Sequence, residues 1–196
     1  MDEPIYPYKK SLDILTFDFE SVGPNGISMK QIVYSSLEGT EEVFSLSLFE
    51  IFEDGRDVYF ESKNKDLTKI MATVLRTMLE FFGKYPNRKI GFTGSEPKRT
   101  RLYRMVISKI KSQVDFFKIE AISLDGEIVD YEPNENYLAY VISLKKNQNN
   151  METSTNTKKE VKRTGRFKTL EEAVQFKNAE LMKAFKGVDL TKFAQR

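Results

Sequence analysis

The residues best placed for chemistry lie close together: Gly94 and Ser95, then Lys98, Arg99, Arg101 and Arg104, with Lys111 two turns further on. Pro97 suits the first turn of a helix, so four cations fall in its opening turns. A helix N-terminus already carries partial positive charge, and each cation placed there costs about 0.3–1 kcal/mol. A local rule broken in this way is expected at functional or strained sites. An anion resolves the conflict. Gly94, Ser95 and the first-turn amides could hold a phosphate while the arginines close over it. Arg101 and Arg104 are i, i+3 neighbours on a face that continues to Ser108 and Lys111, whereas Arg99 pairs with Tyr103 at i, i+4. Two alternatives stay open: pairing with Asp and Glu on acidic strands, or contact with an acidic protein surface. The stretch GFTGSEPK lacks the spacing of a Walker loop or a Rossmann fingerprint.

Composition narrows the chemistry further. The 196 residues include no Cys and no His. Disulfides, thiolate nucleophiles and zinc-finger spacings are excluded, as are Ser–His–Asp and HExxH catalysis. A carboxylate-only magnesium site stays open, but no metal ligand and no cofactor is assigned. The charge is unevenly spread: residues 84–113 hold nine Lys or Arg and a single acidic residue, Glu96. Residues 1–83 hold fifteen acidic and eight basic groups. The start, MDEPIYPYKK, lacks the apolar segment of a signal peptide. No run approaches the roughly 18 apolar residues of a membrane helix. A cytoplasmic protein without membrane contact is expected.

The elements that must position the basic stretch are legible from periodicity. Leu15, Phe17 and Phe19 alternate with polar residues as in a half-buried strand. Gly23-Pro24-Asn25-Gly26 turns the chain into a second strand, whose less regular Ile27, Met29, Ile32 and Val33 suggest a bulge. Phe44, Leu46 and Leu48 alternate with Ser45 and Ser47, and Asp54-Gly55 turns that strand back. Leu67, Ile70, Met71, Val74, Leu75, Met78, Leu79 and Phe82 follow a helical period, with Asp66 as N-cap, Gly83 as C-cap and Pro86 beyond. RKIGFTGS is a short strand. Leu102, Met105, Val106 and Ile110 are the buried stripe of the basic helix, and two antiparallel strands close the unit. This gives an α+β domain over residues 1–146: a mostly antiparallel sheet with two packed helices. Leu15, Phe17, Phe19, Phe44, Leu46, Leu75, Met78, Phe92, Val106 and Tyr140 should lie inside.

Residues 147–168 read as a polar linker. Residues 169–196 form a C-terminal helix and tail, opened by a Thr169/Glu172 capping box. Leu170, Ala173, Val174, Leu181 and Phe185 are its apolar side, and Gly187 ends it. Alone, such a helix is marginal in water. It should dock on its own domain, on a second copy or on another protein, the last two engaging residues 169–193. The domain is expected to fold without it.

Over residues 10–146 the chain resembles a family of uncharacterised bacterial proteins, a domain of unknown function. The resemblance rests on Tyr85-Pro86, Thr93-Gly94-Ser95 and the run Arg99 to Arg104, and it implies a fold unit more than an activity. The element order is more distantly similar to the second half of the Gcn5-related N-acetyltransferases. That resemblance would make Tyr103 a general acid. The phosphate loop of that family is glycine-rich, whereas ESKNKDLTKI stands here without a glycine.

Three functions follow as expectations. The first is a non-catalytic binding protein whose residues 94–111 contact an anionic ligand, nucleic acid or an acidic partner. The second is a divergent acyltransferase-like enzyme using Tyr103. The third is one member of a two-protein system, such as a toxin–antitoxin or phage-defence pair.

Overall fold

The computed structural model describes residues 4–38, 40–57, 63–93, 104, 107, 116–133, 135–145 and 166–185. Its strands are β1 (Tyr8–Lys10), β2 (Thr16–Gly23), β3 (Gly26–Ser36), β4 (Val43–Phe52), β5 (Gly55–Asp57), β6 (Lys89–Phe92), β7 (Phe117–Ile122), β8 (Ile128–Asp130), β9 (Ala139–Leu144) and β10 (Arg166–Phe167). The helices are α1 (Leu67–Lys84) and, near the C-terminus, α2 (Leu170–Ala184). Arg104 and Ile107 are helical as well. The fold is α+β, and its described strand pairs are antiparallel except β4 with β6. The chain forms two compact units, residues 1–35, 46–85 and 161–177 in one and 36–45, 86–160 and 178–196 in the other.

In the first unit β1, β2, β3 and β4 are neighbours in that order, and β5 joins β4 to β10. The turn at Gly23–Gly26 forms, with Gly26 at φ +97°. No bulge follows: β2 and β3 stay in register from Thr16 opposite Val33 to Gly23 opposite Gly26. The irregular pattern of β3 has another cause, because both faces of the strand are covered. Tyr34 stacks on Phe81 of α1, ring centroids 4.6 Å apart. Val33, its neighbour on the opposite face, packs with Phe49, Ala173 and Phe176. Period-2 patterning marks a strand with one wet face, and a strand covered on both sides has no reason to alternate.

β4 carries the same lesson. Ser45 and Ser47 are buried, while Phe44 and Leu48 are only partly so. Val43 and Phe49 lie on the serine face, which is the face α2 residues cover. Of the expected core, Phe17, Phe19, Leu46, Leu75, Met78, Phe92 and Tyr140 are buried. Leu15 and Phe44 are partly buried, and Val106 lies outside the described residues.

α1 differs from expectation at both ends. Asp66 takes the N-cap position, and its carbonyl accepts from Ile70 N–H at 3.0 Å. Its side chain makes no cap bond. The carboxylate instead accepts from Tyr6 Oη at 2.7 Å and Ser21 Oγ at 2.6 Å. Gly83 is not a cap: the helix continues through it to Lys84, and Tyr85 N–H closes on Phe81 O at 2.8 Å.

In the second unit the strand order is β4, β6, β9, β7, β8, with Val43, Phe44 and Ser45 supplying β4. Leu37, Val43, Ile122, Ala139, Val141, Leu181, Ala184 and Phe185 form its core. Gly91 lets the helix approach. A Cβ there would stand 3.1 Å from Leu181 Cδ2 and 3.2 Å from Val43 Cγ1, which is how glycine earns a strand position.

α2 opens with the expected capping box. Glu172 N–H donates to Thr169 Oγ1 at 3.2 Å, and Thr169 N–H to Glu172 Oε2 at 3.4 Å. Of the three docking choices the sequence leaves open, the chain itself takes the helix: Ala173, Phe176, Leu181 and Phe185 are buried against its own strands. Gly187 lies outside the described residues. Among the described residues no helix is long and apolar enough to cross a membrane.

Candidate functional site

The basic stretch lies in the second unit. Of its expected site residues, Arg104 is described; Gly94, Ser95, Lys98, Arg99, Arg101 and Lys111 lie outside the described residues, as does Tyr103. Arg104 is partly exposed, whereas Ile107, one turn on, is fully buried.

What Arg104 touches bears on the choice between ion pairing and an open cation. Its Nη1 donates to Asn136 Oδ1 at 3.1 Å and to the Glu135 carbonyl at 3.4 Å. Both acceptors are uncharged, and among the described residues no carboxylate pairs with it. The neighbouring cations of the block behave differently. Lys89, with a nearly buried side chain, stands 3.7 Å from Glu120 Oε2, and Lys118 donates to Glu120 Oε1 at 2.9 Å. Arg88 donates to the Glu41 carbonyl. Lys89 is thus balanced by a carboxylate on β7, whereas among the described residues Arg104 has none.

Beside Arg104 stands an aromatic group that the sequence does not announce. Tyr140 on β9 stacks on Phe92 at the end of β6, centroids 5.7 Å apart. Tyr137 and Tyr131 meet it edge-on at 5.8 and 6.0 Å. β6 and β9 pair at Phe92 opposite Tyr140, so strand register fixes the stack. Thr93 Oγ1 donates to the Leu138 carbonyl at 2.8 Å and ties the end of β6 to the loop carrying Tyr137. Tyr137 Oη accepts from Glu132 N–H at 3.0 Å. Tyr140 and Tyr131 are buried, and Tyr137 is half-buried.

The Tyr140 hydroxyl is buried and has no hydrogen-bond partner among the described residues. Burial pushes its pKa up to about 12, with the Tyr131 and Tyr137 hydroxyls adding to the rise and the Arg104 charge opposing it. At neutral pH the group is a proton donor. Among the described residues no group of three or more carboxylates is placed to hold a metal ion.

Tyr140 was expected as core, and it is core; its hydroxyl is what sequence reasoning missed. The signal available was Tyr131, Tyr137 and Tyr140 within ten residues.

No curated protein and no solved structure matches the chain significantly. A family model described as a family of unknown function (DUF6934) matches residues 2–145. That span takes in every described strand except β10, together with α1, Arg104 and the tyrosine group, and the chain belongs to that family.

Proposed function

We propose that the protein is a binding module for a phosphate-bearing ligand, with nucleic acid as its leading form, and that residues 94–111 supply the contact. The observation that carries this reading is the state of Arg104. Its guanidinium is held at a fixed place by neutral acceptors and its charge is unmatched among the described residues. A surface arginine recruited for stability would be expected on one of the chain's many carboxylates. The dense positive charge of residues 84–113 adds long-range attraction for a polyanion.

Binding of a fluorescent mixed-sequence single-stranded oligonucleotide, followed by anisotropy at several salt concentrations, tests the reading. Phosphate contacts release counterions, so affinity should fall linearly with salt on a log–log plot. Absence of binding at about 50 mM salt, where such contacts are strong, would refute it for nucleic acid. Retention of an acidic protein under the same conditions would redirect it to a protein partner. The acyltransferase-like alternative depends on Tyr103 and gains no support from the described geometry.

A further inference from the structure

Tyr137 is the most exposed ring of its aromatic group. Phe92, Tyr131 and Tyr140 are buried, whereas Tyr137 is half-buried and its neighbours Glu135, Asn136 and Leu138 are exposed. Part of the ring therefore meets solvent. Its position is fixed by contacts of two kinds. The buried Tyr131 and Tyr140 brace it, each with ring centroids 5.8 Å away. Its hydroxyl accepts from Glu132 N–H at 3.0 Å and donates to the Glu132 carbonyl at 3.4 Å. A ring held in this way has little freedom left to lose when a ligand stacks on it.

Arg104 is tied to the same loop. Its Nη1 donates to the Glu135 carbonyl and to Asn136 Oδ1, on the two residues that precede Tyr137. A cation and a partly exposed ring thus belong to one loop surface. Single strands are bound by this combination, a charge for the phosphate and an aromatic ring for the base. The other charges of the loop separate single strand from duplex. Glu132 and Glu135 are exposed acidic residues and repel phosphate. A duplex keeps its bases stacked inside and brings two phosphate backbones to any surface it meets. A single strand can leave one phosphate on Arg104 and turn an uncharged base to the loop.

We infer that Tyr137 is a stacking platform for one base of a single-stranded nucleic acid whose phosphate lies on Arg104. The inference rests on the anion-binding reading above and adds the form of nucleic acid that is recognised.

The test measures binding of three probes at matched salt: a mixed-sequence single-stranded oligonucleotide, an abasic oligonucleotide of the same length and phosphate count, and the duplex of the first sequence. Wild type should bind the intact single strand about tenfold more tightly than the abasic one, within the usual effect of one stacked base, and more tightly than the duplex. Tyr137→Leu should lose the preference for bases and keep the salt slope, which reports phosphate contacts. Tyr137→Phe, which keeps the ring, should keep the preference. Equal, salt-dependent binding of intact and abasic strands by wild type would overturn the stacking site and leave the anion reading standing. So would a preference that survives in Tyr137→Leu, or duplex binding as tight as that of the single strand. No binding of any probe by wild type would overturn both.

Discussion

Tyr6 donates its hydroxyl to Asp66 Oδ2 across 2.7 Å, and the same oxygen accepts from Ser21 at 2.6 Å. The carboxylate that a sequence reader assigns to the helix cap is used to bind the N-terminal segment and β2 to the start of α1. Asn64 adds to this clamp by donating to Ser21 Oγ at 3.2 Å and to the Gly26 carbonyl at 3.1 Å. It is flanked by Lys63 and Lys65, both in the left-handed region at φ 53° and 56°. Backbone in that region is held only where surrounding contacts require it.

Asp66→Ser distinguishes clamp from cap. Serine is as good an N-cap as aspartate, so a capping role predicts no loss of stability. The clamp predicts a loss of about 1–3 kcal/mol, because the buried Ser21 hydroxyl loses its carboxylate acceptor and Tyr6 is left with the longer bond to the Val22 carbonyl at 3.1 Å. Urea unfolding of the two proteins decides between them.

Acid stability should depend on Glu80. Burial raises its pKa, but hydrogen bonds from Lys10 and Tyr8 together outweigh that and hold the carboxyl below its ordinary 4.5. A carboxyl held low contributes stability that is fully present above its unfolded value and is lost as pH falls through the lowered one. Glu80→Gln should therefore reduce stability at neutral pH and flatten the fall below about pH 4.5. Asp13, also held low, chiefly by the Ser11 hydroxyl, keeps its own share of that fall. Melting temperatures over an acid pH series measure the difference.

Gly91 and Leu181 should be energetically coupled. Gly91→Ala places a methyl 3.1 Å from Leu181 Cδ2, and overpacking of this kind costs about 1–3 kcal/mol. Leu181→Ala alone should cost about 2–5 kcal/mol as a buried leucine. Leu181→Ala also makes room for the new methyl, so the double variant should be more stable than the two single losses added together. Simple additivity would show that α2 does not press on β6. Removal of residues 169–196 should likewise lower the melting temperature, contrary to the separable tail expected from sequence.

How much could be read beforehand follows from which faces are wet. The β2–β3 turn, the span of α1 and the capping box of α2 are local features written in local residues, and each is found. The depth of Ser45 and Ser47 was not legible, since it is set by a helix more than a hundred residues away in the chain. The buried pair Lys30 and Glu50, joined by Ser28, carries no local mark either, because a charge pair is recognisable only once the strands are in register. At the candidate site the charge excess was plain. The unpartnered hydroxyl of Tyr140 was not, because it depends on what surrounds one oxygen atom.

The central claim is that Arg104 is kept for an anion and not for the fold. Its most direct test is the salt dependence of oligonucleotide binding by Arg104→Gln beside wild type. Loss of one phosphate contact should weaken binding at low salt and lower the log–log salt slope by about 1. Affinity and slope equal to wild type across the salt range would contradict the claim and leave Arg104 as an anchor for the Glu135–Asn136 loop.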